Sequence, residues 1–279
     1  MSLLACLMMM FPGCDIVEPP YLEEPVRSGQ DEPLLRKRVL LEKFTGHQCQ
    51  FCPEGAETAS RLEEIFGDQL IVVSIHAGFF ANATPSAPFN AEYRTLDGNR
   101  VHDRFQVSFF PSGMVNRTPV NGTAILGHAA WGDAIGRQLA DSVPLFQISI
   151  NSDVDPSSGA LIINTSVKAL SQTSKTYKLS LLLLEDSIVS PQRTNKPSYP
   201  SGLIENYTHR HVLRAALNGT WGEPLNTSAL EKDQVVALET PYQMNKNWNA
   251  RQCYIVAFVA DEAGMEVIQA EKKPLVQAK

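Results

Sequence analysis

The chain has 279 residues, of which 43% are hydrophobic and 19% charged, and its formal net charge is −6. That length allows a sizeable core and favours two domains over one. The acidic balance speaks against a nucleic-acid partner, since no Lys/Arg-rich run exceeds Arg36-Lys37-Arg38. Five cysteines (Cys6, Cys14, Cys49, Cys52 and Cys253) are too few and too scattered for a disulfide scaffold.

Residues 1–13 carry no charge, and the apolar run from Leu3 to Phe11 precedes Pro12-Gly13-Cys14. The run is too short to span a bilayer and fits the apolar centre of a signal peptide. A small residue directly ahead of a cysteine resembles the lipobox of bacterial lipoproteins, which implies lipidation at Cys14. The competing readings are Cys6, whose preceding Leu-Leu-Ala fits the box but leaves almost no signal ahead of it, and an incidental cysteine in an apolar terminus. Residues 14–36 follow as an acidic, Pro-rich tether: Pro19, Pro20, Pro25 and Pro33 alternate with Asp15, Glu18, Glu23, Glu24, Asp31 and Glu32. Proline and like charge keep such a segment extended.

Val39 to Phe44 reads as a buried strand, broken at Thr45 and Gly46. Cys49 and Cys52 come next, and Pro53 stands in the first turn of a helix, where a missing N–H does least harm. Apolar spacing through Ala56, Ala59, Leu62, Ile65 and Phe66 carries that helix to a cap at Gly67. Unpaired N–H groups and the positive dipole end at a helix mouth favour a thiolate. Three readings of the pair remain open: a redox couple, a structural disulfide, or half a zinc site. His47, His76 and His102 are available to zinc but lack the paired spacing of a closed site. In the redox reading Cys49, nearer the helix start and more exposed, attacks a substrate disulfide and Cys52 resolves the mixed disulfide. His47 either stabilises the thiolate when protonated or faces solvent.

Gln69 to His76 reads as a second buried strand, parallel to the first, which completes a βαβ unit. Residues 77–108 look irregular until Val101 to Phe105 and read as an insertion near the site end of the sheet. Pro111, just ahead of a short strand, is a position for a cis bond. Gly127 to Asp141 closes this part as a helix with Trp131, Ile135 and Leu139 on one face. Beyond Pro144 helical spacing gives way to alternation. Strands are expected at Phe146–Ser152, Ala160–Val167, Tyr177–Glu185 and Gln252–Asp261, with turns at 155–159 and 262–264. A β-sandwich fits that pattern. His209 and His211 would share one face of a strand and hold a metal, or be surface or interface histidines. Cys253 reads as a buried small hydrophobe. The triplets at Asn116, Asn218 and Asn226 would carry glycans only in a eukaryotic secreted chain.

The order strand, Cys-x-x-Cys, helix, strand, insertion, proline, hairpin and helix resembles the thioredoxin fold, with Pro111 at its cis-proline position. Three stretches together are similar to the Bacteroidetes outer-membrane lipoprotein family with a thioredoxin-like domain and a β-rich domain. They are Glu42-Lys-Phe-Thr-Gly-His-Gln-Cys with Cys52-Pro53, Pro111-Ser-Gly-Met-Val-Asn-Arg117, and Tyr207 through Glu223. The resemblance implies an exported, lipid-anchored outer-membrane protein. Its expected parts are a signal peptide (1–13), a tether (14–36), a thioredoxin-like domain (37–143) and a β-sandwich domain (144–279). It also implies that Pro111 shapes substrate docking and that Glu42, if buried, accepts the proton of Cys52, against the reading of Glu42 as an edge or solvent-facing residue. The expected activity is thiol–disulfide exchange without a cofactor or metal, on disulfide-containing envelope proteins. The alternative is a non-catalytic binding or adhesive lipoprotein that uses the fold as a scaffold.

Overall fold

The computed structural model describes residues 35–140, 143–155, 157–263 and 265–276. The leader, Cys6, Cys14 and nearly all of the tether lie outside the described residues, as do Pro156 and Gly264 of the two expected turns. Strand β1 (Val39–Thr45) is buried along its whole length, as its continuous apolar run requires. Helix α1 (Cys52–Phe66) follows, with Pro53 in its first turn, and ends at Gly67, whose φ of +57° favours glycine. Strand β2 (Leu70–His76) then pairs in parallel with β1, from Val39 opposite Leu70 to Thr45 opposite His76.

Alternation sorts these strands onto two cores. Val39, Leu41, Leu70 and Val72 face α1 and pack with Ala59, Leu62, Trp131 and Ile135. Leu40, Phe44, Ile71, Val73 and Ile75 face the other way and pack with Val101 and Met114. In the insertion, helix α2 (Leu96–Arg104) is capped by Thr95, whose hydroxyl accepts from the Gly98 amide at 2.8 Å. The helix begins earlier than the expected Val101 because it buries only Gly98 and Val101 and so leaves little periodic signal. The Phe110–Pro111 bond is cis and leads into β3 (Ser112–Val115), antiparallel to β1. Strand β4 (Leu126–Gly127) and helix α3 (Trp131–Ala140) complete this part.

The remaining strands are β5 (Phe146–Val154), β6 (Ala160–Ala169), β7 (Tyr177–Glu185), β8 (Ile188–Arg193), β9 (Leu203–His209), β10 (Val212–Ala216), β11 (Glu223–Pro224), β12 (Val235–Gln243), β13 (Cys253–Asp261) and β14 (Val267–Pro274). Strands β12, β6 and β5 form a three-stranded sheet. Phe146, Ile148, Leu161 and Ile163 from that sheet pack against Leu179, Leu181, Leu183, Ile255 and Ala257 of β7 and β13. Strands β7, β13 and β14 do not stand apart from β1 and β2. A nine-stranded sheet runs β14-β13-β7-β10-β2-β1-β3-β4, with β11 also on β7. Its junction is narrow: Val212 pairs in parallel with Ser74, and the Ser74 amide donates to His211 O at 2.7 Å. Leu182, Leu184, Val256 and Phe258 share one core with Leu40 and Phe44. Near residue 144 the topology thus changes from βαβ to antiparallel hairpins inside a shared sheet, and Leu35–Lys279 cluster as one compact unit.

Candidate functional site

The loop between β1 and α1 holds the cysteine pair. Cys49 and Cys52 are joined as a disulfide with their Cα atoms 5.4 Å apart. Cys52 is the first residue of α1, while Cys49 lies ahead of it in a turn whose amide donates to Gly46 O at 3.0 Å. The expectation of a more exposed Cys49 at the helix start is therefore corrected: both cysteines are only 2% exposed. Two segments cover them. On one side Gly46 approaches the Phe80 backbone so closely that a Cβ would meet Phe80 O at 2.3 Å, and the Gln48 amide donates to the same carbonyl at 3.0 Å. On the other side β8 crosses the loop. The buried Gln192 Nε2 donates to Gly46 O (3.2 Å), Cys49 O (2.9 Å) and Arg193 O (3.0 Å), and the Arg193 amide donates to His47 O at 2.8 Å.

Pro111 sits against α1 one turn beyond Cys52. A Cβ on Gly55 would meet Pro111 Cβ at 2.6 Å, so glycine is what admits the helix to this proline. Beside them opens a cleft of about 320 Å³ lined by Cys49, Phe51, Phe79, Phe80, Phe110 and Arg193. Phe51, Phe79 and Phe80 are exposed, an unusual grouping of aromatic surface around one disulfide. His47 does not face solvent. It is stacked on Phe89 at 5.3 Å, shares Nε2 with Asn82 O at 2.9 Å, and is held below the usual histidine range chiefly by burial. A neutral ring bound to a carbonyl supplies no positive charge to a thiolate, so that role of His47 is corrected.

Glu42 is buried rather than solvent-facing, at 2% exposure. It shares the strand face of Leu40 and Phe44, opposite the face covered by α1, because side chains alternate along β1. Both of its oxygens accept from Arg117, Nε at 2.7 Å and Nη2 at 2.7 Å. Arg117 in turn lies over the rings of Phe105 (5.5 Å) and Phe258 (5.1 Å). The role of Glu42 as proton acceptor for Cys52 is thereby corrected, since the sheet separates it from α1. Two of the family-like stretches meet in this ion pair, a link that spacing alone does not reveal.

Lys43 is the ionisable residue that does face α1, and sequence reasoning passed it over. It borders a cavity of about 240 Å³ with Ser74 and His76 of β2, Glu63 of α1, and His209 and His211. Burial lowers its pKa to about 8 against the raising influence of Glu63. His76 and His209 stand 5.5 Å apart, each with its ring against Tyr93 at 5.1 Å. Burial holds His76 well below the usual range and His209 at about 3. His211 lies beyond the end of β9, at φ +59°, and bonds to Tyr254 Oη (2.6 Å) and Glu63 Oε2 (3.1 Å). His209 and His211 therefore form no shared ligand pair. Among the described residues no three His, Cys, Asp or Glu side chains converge as a metal site. Cys253 is buried as expected, and burial pushes its thiol up to about 12. Asn116, Asn218 and Asn226 are backbone partners: their Oδ1 atoms accept from the Leu40, Leu181 and Tyr177 amides.

Comparison with known proteins places the whole. No curated protein matches the sequence. Among solved structures the chain is similar to HBP35 of Porphyromonas gingivalis, with a TM-score of 0.67 at 17% identity over 88% of this chain and 77% of that one. It is also similar to an Agrobacterium tumefaciens protein, with a TM-score of 0.53 at 9% identity over 86% of this chain and 96% of that one. A domain of the outer membrane lipoprotein Omp28 from Porphyromonas gingivalis matches 47% of this chain at 19% identity, covering 87% of that domain with a TM-score of 0.31. The family model described as outer membrane protein Omp28 matches residues 99–279, well over half of the sequence. The chain belongs to the Omp28 family of outer membrane proteins, and the outer membrane is its location.

Proposed function

We propose that this is a lipid-anchored outer-membrane protein whose thioredoxin-like unit, residues 37–143, exchanges disulfides through Cys49 and Cys52. In this reading residues 144–279 form a β-sandwich that shares its sheet, and Cys14 carries the lipid. The observation that carries the reading is the closed Cys49–Cys52 disulfide at the first turn of α1, next to cis-Pro111 and open to an aromatic cleft. A substrate polypeptide docks its apolar side chains on Phe51, Phe79 and Phe80 and its backbone near Pro111. A substrate thiolate then attacks Cys49 Sγ, the residue that lines the cleft. The Cys49–Cys52 bond breaks, a mixed disulfide forms, and Cys52 leaves as a thiolate that the N-terminus of α1 stabilises. A second substrate thiolate displaces Cys49, leaving the pair reduced and the substrate oxidised. The reverse sequence begins with attack of the Cys49 thiolate on a substrate disulfide. The partners are disulfide-bearing envelope proteins, and the anchor confines exchange to the membrane surface.

Titration of the pair in a glutathione buffer, with alkylation followed against pH, tests this. Exchange that is abolished by Cys49→Ser and trapped as a mixed disulfide by Cys52→Ser supports the roles. The deep burial of both cysteines favours a second reading, a structural disulfide in a binding scaffold. A pair that stays oxidised in strong reductant selects it. Mass spectrometry of the mature N-terminus tests the anchor, and an unmodified chain beginning at Met1 rejects it.

A further inference from the structure

We propose that the cavity beneath α1 is a binding site for a small oxyanion, held by Lys43 Nζ, Ser74 Oγ and the imidazole of His76, with His209 on its wall. The inference does not depend on the disulfide reading. Its first support is a concentration of orphaned polar atoms. Among the described residues, six buried side-chain nitrogen or oxygen atoms lack a hydrogen-bond partner. Four of them, Ser74 Oγ, His76 Nδ1, His76 Nε2 and His209 Nε2, belong to residues lining this one cavity. Buried polar groups are normally paired, so a cluster of unpaired ones points to an absent partner. Ser74 and His76 are 1% and 2% exposed, well beyond the reach of bulk water.

The second support is charge. Lys43 is 6% exposed and forms no ion pair among the described residues. The two carboxylates on the cavity wall are already engaged, Glu63 with His211 and Glu57 with Lys196. Lys43 is attracted through space by Glu63 but held by no ion pair, and it stands beside the Ser74 hydroxyl and the His76 imidazole, each of which can donate one hydrogen. Such a set suits an acceptor-only ligand: a carboxylate, phosphate or sulfate oxygen. The cavity, at about 240 Å³, has room for such an anion with accompanying water. Ser60 on α1 and Thr208 and Arg210 at the end of β9 also line it and are exposed.

The geometry is also specific to this fold. Lys43 and Ser74 are register partners across the β1–β2 pair, and Thr45 and His76 are the next partners on the same face. His209 arrives from the far side, on the segment that joins β9 to the sheet at Val212. The site therefore forms only when the two parts of the chain meet.

The test uses the full chain, titrated separately with sodium sulfate, sodium phosphate and sodium acetate at constant ionic strength, with sodium chloride as the reference. The readout is the imidazole nitrogen resonances of His76 and His209 together with thermal unfolding. The expected result is a saturable shift of both imidazoles and a rise in Tm with at least one oxyanion but not with chloride. Tighter sulfate or phosphate binding identifies a tetrahedral ligand, and tighter acetate binding a carboxylate. Lys43→Met should weaken binding by about tenfold or more through loss of a charge-assisted bond, and Ser74→Ala by about threefold through loss of a neutral one. Ser74→Ala removes a single oxygen from the wall and keeps the test available if Lys43→Met does not fold. Three results would overturn the proposal: responses that match chloride, affinity unchanged in the folded variants, or imidazole shifts produced by zinc and by no oxyanion.

Discussion

Glu42 and Lys43 are neighbours in β1, both buried, and they meet opposite fates. Glu42 points into the core shared with β7 and β13, where Arg117 takes both carboxylate oxygens and two aromatic rings flank the guanidinium. Lys43 points beneath α1, into a cavity whose donors have no partner. The first site is a closed, self-satisfied ion pair that ties β1 to the loop after β3. The second leaves its polarity available for something that is not part of the chain. Two adjacent charges thus separate a structural use of burial from a functional one, and the sheet between them keeps the two apart.

The largest expected effect breaks the closed site. Arg117→Met strands a buried carboxylate without the counter-charge that Arg117 supplies, which should cost about 3–5 kcal/mol in urea unfolding. The double variant Glu42→Leu/Arg117→Met removes both charges and should recover most of that loss. If Arg117→Met alone is neutral, the pair is not the structural tie described.

The open site should respond to pH instead. Lys43 has a folded-state pKa of about 8 against 10.5 when exposed, so the unfolded chain binds the extra proton between those values. Stability contributed through this group should therefore rise with pH from 8 to 10.5, by about 3 kcal/mol in total. At pH 7 the full penalty of the buried ammonium is present, and in the absence of a bound anion Lys43→Met should be more stable than the parent. The check is the difference between parent and Lys43→Met unfolding free energies across that window, which cancels the tyrosines that titrate at higher pH. On the acid side His209 is lowered from 6.5 to about 3. The unfolded chain takes up that proton first, so stability should fall as pH drops from 6.5 toward 3, and His209→Gln should flatten the decline.

A smaller effect concerns the loop above both sites. Gln192→Leu removes the donor shared by Gly46 O, Cys49 O and Arg193 O, leaving Gly46 O and Cys49 O with the amides of Cys49 and Cys52. The expected loss is about 1–3 kcal/mol, with faster reduction of the Cys49–Cys52 disulfide in dithiothreitol. Destabilisation with an unchanged reduction rate would mean that β8 is a brace and not a cover.

Much of the architecture was legible in the chain. The apolar run ahead of Gly46, the periodic residues after Pro53 and the proline at 111 predicted β1, α1 and the cis bond within a residue or two. Alternation beyond Phe146 predicted β5, β6, β7 and β13. Strands β8, β9 and β10 were not found, because β8 and β9 are only partly buried and β10 spans five residues, so neither periodicity nor a continuous apolar run marks them. Yet these are the strands that cover Cys49 and supply His209. The candidate site was thus half legible: the cysteines by spacing, their covers not at all.

What the sequence by itself determined is local. A period near 3.6 or 2 declares which residues turn inward, and Gly, Pro and Cys at particular spacings mark turns, a position for a cis bond and a cysteine pair. Only the tertiary structure decided which inward residues meet. The pairings Glu42 with Arg117, Gln192 with Cys49 O, and His76 beside His209 join positions far apart in the chain. Periodicity reports that a side chain is buried but not what it is buried against. Whether a buried charge finds a counter-charge or a cavity depends on the register of strands that are distant in sequence. That register is set by the packing of the whole sheet, and it sends Glu42 to Arg117 and Lys43 to the cavity beneath α1.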